Sequence, residues 1–206
     1  MKIIDLTHTI THNMQVYPGD TPPVLNQSHS LASDGYTDHQ LTTGMHTGTH
    51  IDGPWHMVDN NCHISDLPMN NFMGKACVID ISHEKEFNNI QHIREKAKDC
   101  TIVLFHTGYG QLFGTGKYMT GYPLIGNEIA EEMVALGIKL VGIDTVSPDI
   151  APYQAHKTLL GKGVLIAENL ANLHLLLDIP AFQVIALPMK IAADSALARI
   201  IALVET

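Results

Sequence analysis

The sequence predicts a single mixed α/β domain, 1–206, on three observations. Its 206 residues match one domain and contain neither an internal repeat nor a linker-like stretch. Across the middle of the chain, apolar strand-like runs alternate with helix-like runs, the β-α-β rhythm of a partly parallel sheet. Two further apolar runs, 182–187 and 199–204, close the chain as strands.

Taken in order, residues 2–5 read as a short strand and 16–23 (VYPGDTPP) as a turn-rich loop punctuated by Pro and Gly. Residues 24–30 and 38–46 suit antiparallel strands leading into a His-rich segment, and 59–74 is irregular. A buried strand is expected over 75–81 (KACVIDI), a helix over 90–98 and a strand over 101–105 (TIVLF). Asn127 is placed to cap a helix running to Leu136, with Glu131 and Glu132 early in it and Gly137 as its stop. A strand at 139–143, a helix at 154–160, a strand at 163–167 and a helix at 169–177 complete the pattern.

Composition narrows the function. Lys and Arg total 12 against 21 Asp and Glu, a formal net charge of −9. With no basic cluster, that balance excludes a nucleic-acid footprint. The N-terminal MKIIDLTHTITHNM has charged and polar residues where a signal peptide needs an apolar run, and no window reaches the length of a membrane span. Cys62, Cys77 and Cys100 are odd in number and without a Cys-x-x-Cys pair, so neither a disulfide framework nor a zinc finger is expected, and a reducing cytoplasm suits them.

The segment HTGTHIDGPWH, 46–56, carries the chemistry. His46, His50, Asp52 and His56 all occupy even positions, so an extended segment would turn all four to one side. Thr47, Thr49 and Ile51 are β-branched and Gly48, Gly53 and Pro54 are poor helix residues, which favours an extended strand running into a turn. Burying so many polar groups on one face costs several kcal/mol unless each finds a partner. A divalent ion of the zinc or manganese kind supplies one. Downstream, Glu168 falls at the carboxyl end of a strand, where ligands bind in open α/β sheets. Read by itself, Glu168 is a first-turn helix acid, and His156 is a solvated helix position.

HTGTHIDGPWH resembles the His-x-Gly-Thr-His-x-Asp-x-Pro-x-His signature of the metal-dependent hydrolases of the cyclase family, which includes bacterial kynurenine formamidases and isatin hydrolases. The likeness extends to Tyr17-Pro18-Gly19-Asp20, to Val141-Gly142-Ile143-Asp144-Thr145 and to the His…Glu-Asn-Leu segment over 156–173. It covers essentially the whole chain and implies the swivelling β/β/α fold of that family. It also implies that His46, His50 and Asp52 hold a first ion, that Asp52 bridges to a second, that His156 binds the second and that Glu168 is shared by both. His56 matches the catalytic proton donor and acceptor. Tyr17 matches a substrate-binding position that holds Trp in kynurenine formamidases, and His106 stands where many relatives carry Arg.

The activity so implied is metal-dependent amide hydrolysis. Two divalent ions per subunit, zinc ahead of manganese, would carry a hydroxide onto an amide carbonyl, and His56 would protonate the departing nitrogen. The leading substrate is N-formyl-L-kynurenine, cleaved to formate and L-kynurenine in tryptophan catabolism. A cyclic amide or imide, as in isatin hydrolases, is the alternative, and a non-catalytic metal-binding module is the reading from another class. The expected partners are a small-molecule amide and, as in relatives, further copies of the chain in a homodimer or higher oligomer.

Overall fold

The alternation expected in the middle of the chain is carried by β5 to β8 in the computed structural model, which describes residues 1–83, 87 and 89–205. In chain order the elements are β1 (Lys2–Asp5), β2 (Val24–His29), α1 (Leu31–Asp34), β3 (Asp38–Thr42), β4 (His50–Asp52), β5 (Met73–Asp80) and α2 (Ile90–Ala97). They continue with β6 (Ile102–His106), α3 (Asn127–Ala135), β7 (Leu140–Ile143), α4 (Gln154–Gly161), β8 (Leu165–Glu168), β9 (Phe182–Pro188) and β10 (Ser195–Val204). Strands β5, β6, β7 and β8 are parallel neighbours joined by α2, α3 and α4. Crossover helices cover such a sheet, which is why IVLFH and LVGI are buried along their whole length.

The full strand order is β1-β10-β4-β8-β7-β6-β5-β9, and β9 also pairs with β10, so the sheet closes into a barrel. Alternate residues serve two cores. Ile51, Ala76, Val78, Ile102, Leu104 and Ala167 belong to an inner cluster, whereas Ile79, Val103, Phe105, Val141 and Ile166 meet α2, α3 and α4 outside it. This period decides where the site lies. With Ile51 and Ala167 turned inward, His50, Asp52 and Glu168 leave the opposite, helix-covered face. The hairpin β2–β3 forms a separate two-stranded sheet. Among the described residues no helix is long and apolar enough to cross a membrane.

Three local expectations are corrected. Residues 46–49 are a turn rather than strand, and only His50–Asp52 is extended, because Gly48 takes φ +60°. The helix expected over 169–177 shrinks to one 3-10 turn, Leu173–Leu176, since Asn169 and Asn172 adopt left-handed φ of 55° and 60°. Asn127 does not cap α3. Gly126 holds that position, while the Asn127 amide donates to Glu131 one turn on and accepts from Thr158 Oγ1.

Gly142 in β7 sits where the inner core leaves no room for a side chain. A Cβ there would lie 2.6 Å from both Leu104 Cδ2 and Leu170 Cδ1. Gly142→Ala is therefore expected to destabilise the fold by about 1–3 kcal/mol, the range for overpacking. At about 2–4 °C per kcal/mol for a chain of this size, thermal melting should show a drop of several degrees. An unchanged melting temperature would mean that the two leucines repack freely.

Candidate metal centre

The site is built where β4 meets β8. Their antiparallel register sets His50 directly opposite Glu168, and Asp52 is two residues along the same face. His50 Nε2 is 3.4 Å from Asp52 Oδ1 and 3.4 Å from Glu168 Oε2. His156, on the first turns of α4, brings its Nε2 to 3.3 Å from Glu168 Oε1 and 3.8 Å from Asp52 Oδ2. His46, from the turn before β4, places Nδ1 2.8 Å from Asp52 Oδ1. His56 ends the 3-10 turn Pro54–His56, with its ring centroid 4.2 Å from that of His46 and 5.9 Å from that of His156.

The Gly-Thr of the signature has a local reason. Gly48 turns the chain tightly enough for its carbonyl to accept from His50 Nδ1 at 2.8 Å and from the Asn169 amide at 3.0 Å. Thr49 Oγ1 donates to the Asn169 carbonyl at 2.6 Å and accepts from the His8 N–H. The signature loop is thus stitched to the residue after Glu168. Because Gly48 takes the Nδ1–H of His50, the Nε2 lone pair is the one aimed at the acids. His156 is oriented the same way, its Nδ1 engaged by the buried Asp149 carboxylate.

The charge balance is unusual for a buried site. Burial opposes ionisation of Asp52, yet His50, His156 and His46 outweigh it and hold that carboxyl well below its usual range. Burial would likewise discharge the imidazoles. The carboxylates win instead, pushing His50 well above its usual value, His46 up to about 9 through Asp194 and Asp52, and His156 up to about 12 through Asp149, Asp52 and Glu168.

Hydrogen bonding does not complete the set. His50 Nε2, both oxygens of Asp52 and Oε1 of Glu168 are buried without a hydrogen-bond partner. Such groups cost several kcal/mol each in an apolar surround. His46 Nδ1 and Asp52 Oδ1 stand close but do not bond to each other, as two atoms aimed at a third would. Ligands of one ion at about 2.0–2.2 Å lie roughly 3–3.5 Å apart. The donor atoms here stand 2.8–3.8 Å apart, with His50 to Asp52, His50 to Glu168 and His156 to Glu168 at 3.3–3.4 Å. Candidate ligand atoms of His50, Asp52 and Glu168 lie within 4.8 Å of one another, as do those of His46, Asp52 and His56. A set of imidazole nitrogens and carboxylate oxygens fits a divalent metal.

Above these donors opens a cleft of about 250 Å³, whose wall includes Gln15, Tyr17, Met57, Met119 and Tyr153. The Tyr17 and Tyr153 hydroxyls are 3.4 Å apart. That contact, with burial, keeps the Tyr17 phenol protonated and able to donate. His106 lies apart, its Nδ1 2.9 Å from Asp80.

The residues expected to form the site therefore meet at one place, His106 excepted: His46, His50, Asp52, His156 and Glu168 around the unpartnered atoms, His56 beside them and Tyr17 on the cleft wall. Three others were not foreseen. Asp149 and Asp194 each hold an imidazole of this cluster, and Tyr153 faces Tyr17. No spacing rule marks them, because each reaches the site through a loop.

Known proteins share this arrangement of chain. The profile of the family described as "Putative cyclase" matches residues 4–150. Kynurenine formamidase of Bacillus mycoides (strain KBAB4) is 29% identical over 197 residues, covering 91% of this chain and 90% of that protein. An uncharacterised protein of Methanocaldococcus jannaschii is 33% identical over 193 residues, covering 93% and 92%. Among solved structures, isatin hydrolase A from Labrenzia aggregata superposes with a TM-score of 0.89 at 24% identity, covering 100% of this chain and 94% of that one. A predicted metal-dependent hydrolase from Bacillus stearothermophilus gives 0.77 at 27% identity, covering 98% and 97%. With the profile spanning well over half of its length, the chain belongs to the cyclase family.

Proposed function

We propose that this chain, a metal-dependent hydrolase of the cyclase family, cleaves an aryl formamide, with N-formyl-L-kynurenine as the substrate and residues 1–206 acting as one domain. The observation that carries the reading is the set of buried, unpartnered donor atoms on His50, Asp52 and Glu168 beneath an open cleft. The two oxygens of Asp52 face different imidazoles, Oδ1 toward His46 and His50 and Oδ2 toward His156, and the two oxygens of Glu168 divide likewise between His50 and His156. That division supports two ions per subunit, with both carboxylates shared and zinc ahead of manganese. Bound there, divalent ions make water a nucleophile at neutral pH and polarise a carbonyl.

The remaining work falls to the protein. The cleft wall of Met57, Met119 and the two phenols offers apolar area to an aryl group and a hydroxyl to a polar one. His56, at the cleft floor and partly open to it, is placed to give a proton to the departing nitrogen. An amide nitrogen leaves poorly without that proton, and an imidazole has one ring nitrogen to give it and another to take one.

The alternative, a cyclic amide or imide substrate with isatin as the test case, draws on Tyr17 standing where kynurenine formamidases carry Trp. Assay of the zinc-loaded protein against N-formyl-L-kynurenine and isatin, before and after chelation, separates the two. Formyl-kynurenine cleavage that chelator abolishes, with isatin untouched, is expected. The reverse preference would move the assignment to cyclic amides, and silence toward a broad panel of amides, lactones and imides would favour a metal-binding role.

A further inference from the structure

Asp194 stands outside the signature, in the bend leading into β10, yet one of its oxygens touches two of the signature's imidazoles. Oδ2 is 2.9 Å from His46 Nε2 and 3.4 Å from His56 Nδ1, and it also accepts from Ser195 Oγ at 3.1 Å. The backbone beneath is pinned. The Gly53 N–H donates to the Asp194 carbonyl at 3.0 Å, and the Ile64 N–H donates to the carbonyl of Ala193 at 2.8 Å. A Cβ on Gly53 would lie 2.5 Å from that Asp194 oxygen, so glycine at this point of the signature lets the two chains approach. One residue on, Ser195 is the sheet partner of Asp52.

Resting on the hydrolase reading above, we propose that Asp194 is a positioning residue serving both halves of the reaction. It accepts the Nε2–H of His46, which leaves the Nδ1 lone pair of that ring directed at the metal position beside Asp52. The same oxygen faces His56 Nδ1 at 3.4 Å, an ion-pair contact that holds that nitrogen toward the acid and leaves Nε2 as the atom that exchanges a proton with the substrate. A single carboxylate oxygen thus sets the orientation of a metal-holding ring and of the proton-transferring ring 4.2 Å from it.

The test uses Asp194→Asn, which keeps the shape, and Asp194→Ala. Each is read by zinc titration into chelator-treated protein and by turnover at saturating zinc. Two substrates carry the same formyl group: formanilide, whose nitrogen must be protonated to leave, and p-nitrophenyl formate, whose phenolate leaves without a proton. Zinc affinity is expected to fall about 10–100-fold, the cost of losing an outer-shell partner. At saturating zinc, kcat on formanilide should fall about 100-fold or more while the ester stays within about threefold, since only the amide needs the acid. Equal losses on amide and ester, or a zinc affinity equal to that of the wild type, would overturn the proposal. If the wild-type protein cleaves no amide at all, the hydrolase reading fails instead, and the zinc titration still decides the His46 half.

Discussion

Asp52→Asn protein is expected to bind zinc more than about 100-fold more weakly than the wild type and to lose its amide hydrolysis with it, because even outer-shell partners of a metal cost 10–100-fold. Asp52 is wholly buried at the junction of β4, β8 and β10, with its two oxygens facing imidazoles from three different segments. No other carboxylate among the described residues stands next to all three of His46, His50 and His156. Asparagine preserves volume and one acceptor but brings an N–H₂ where an ion would sit, so the fold should survive while the site does not. Isothermal titration with zinc, alongside circular dichroism to confirm folding, checks it. Wild-type affinity in the variant would show that Asp52 is not a ligand and would dismantle the proposed centre.

For His56→Asn the expected outcome is different in kind. Zinc content should remain at the wild-type level while kcat on an aryl formamide falls about 10²–10⁴-fold, the range for a general acid–base group. His56 lines the cleft and is about one-quarter exposed, unlike the fully buried His50 and Asp52, so its loss should not disturb folding. Metal analysis and steady-state kinetics on the same preparation provide the check. Its ring also stands close enough to His46 and Asp52 to serve as a ligand. Loss of zinc together with activity would therefore reassign His56 to metal binding.

Legibility differed by element for physical reasons. The strands 101–105 and 139–143 were readable within a residue or two because strands buried on both faces are continuous apolar runs. Strands 2–5 and 75–81 were read as closely from their short apolar runs, although part of each strand is exposed. The turn at 46–49 was less so: β-branched threonines suggested extension, but Thr47 and Thr49 are buried in a bend held by Asn169. The segment 169–177 has a helical composition, and two asparagines in left-handed conformation override it. Asp149 and Asp194 gave no signal, since an acid in a loop is ordinary until its neighbour across space is known.

The order of residues 46–56 by itself determined the donor chemistry, because imidazoles and a carboxylate two and four positions apart cannot be buried cheaply without a shared partner. Which side chains complete the set was decided by tertiary structure alone. Strand register placed Glu168 opposite His50, α4 delivered His156, and the approach of the chain at Gly53 brought in Asp194. These distances depend on pairing and packing between segments up to 148 residues apart, and no local pattern encodes them.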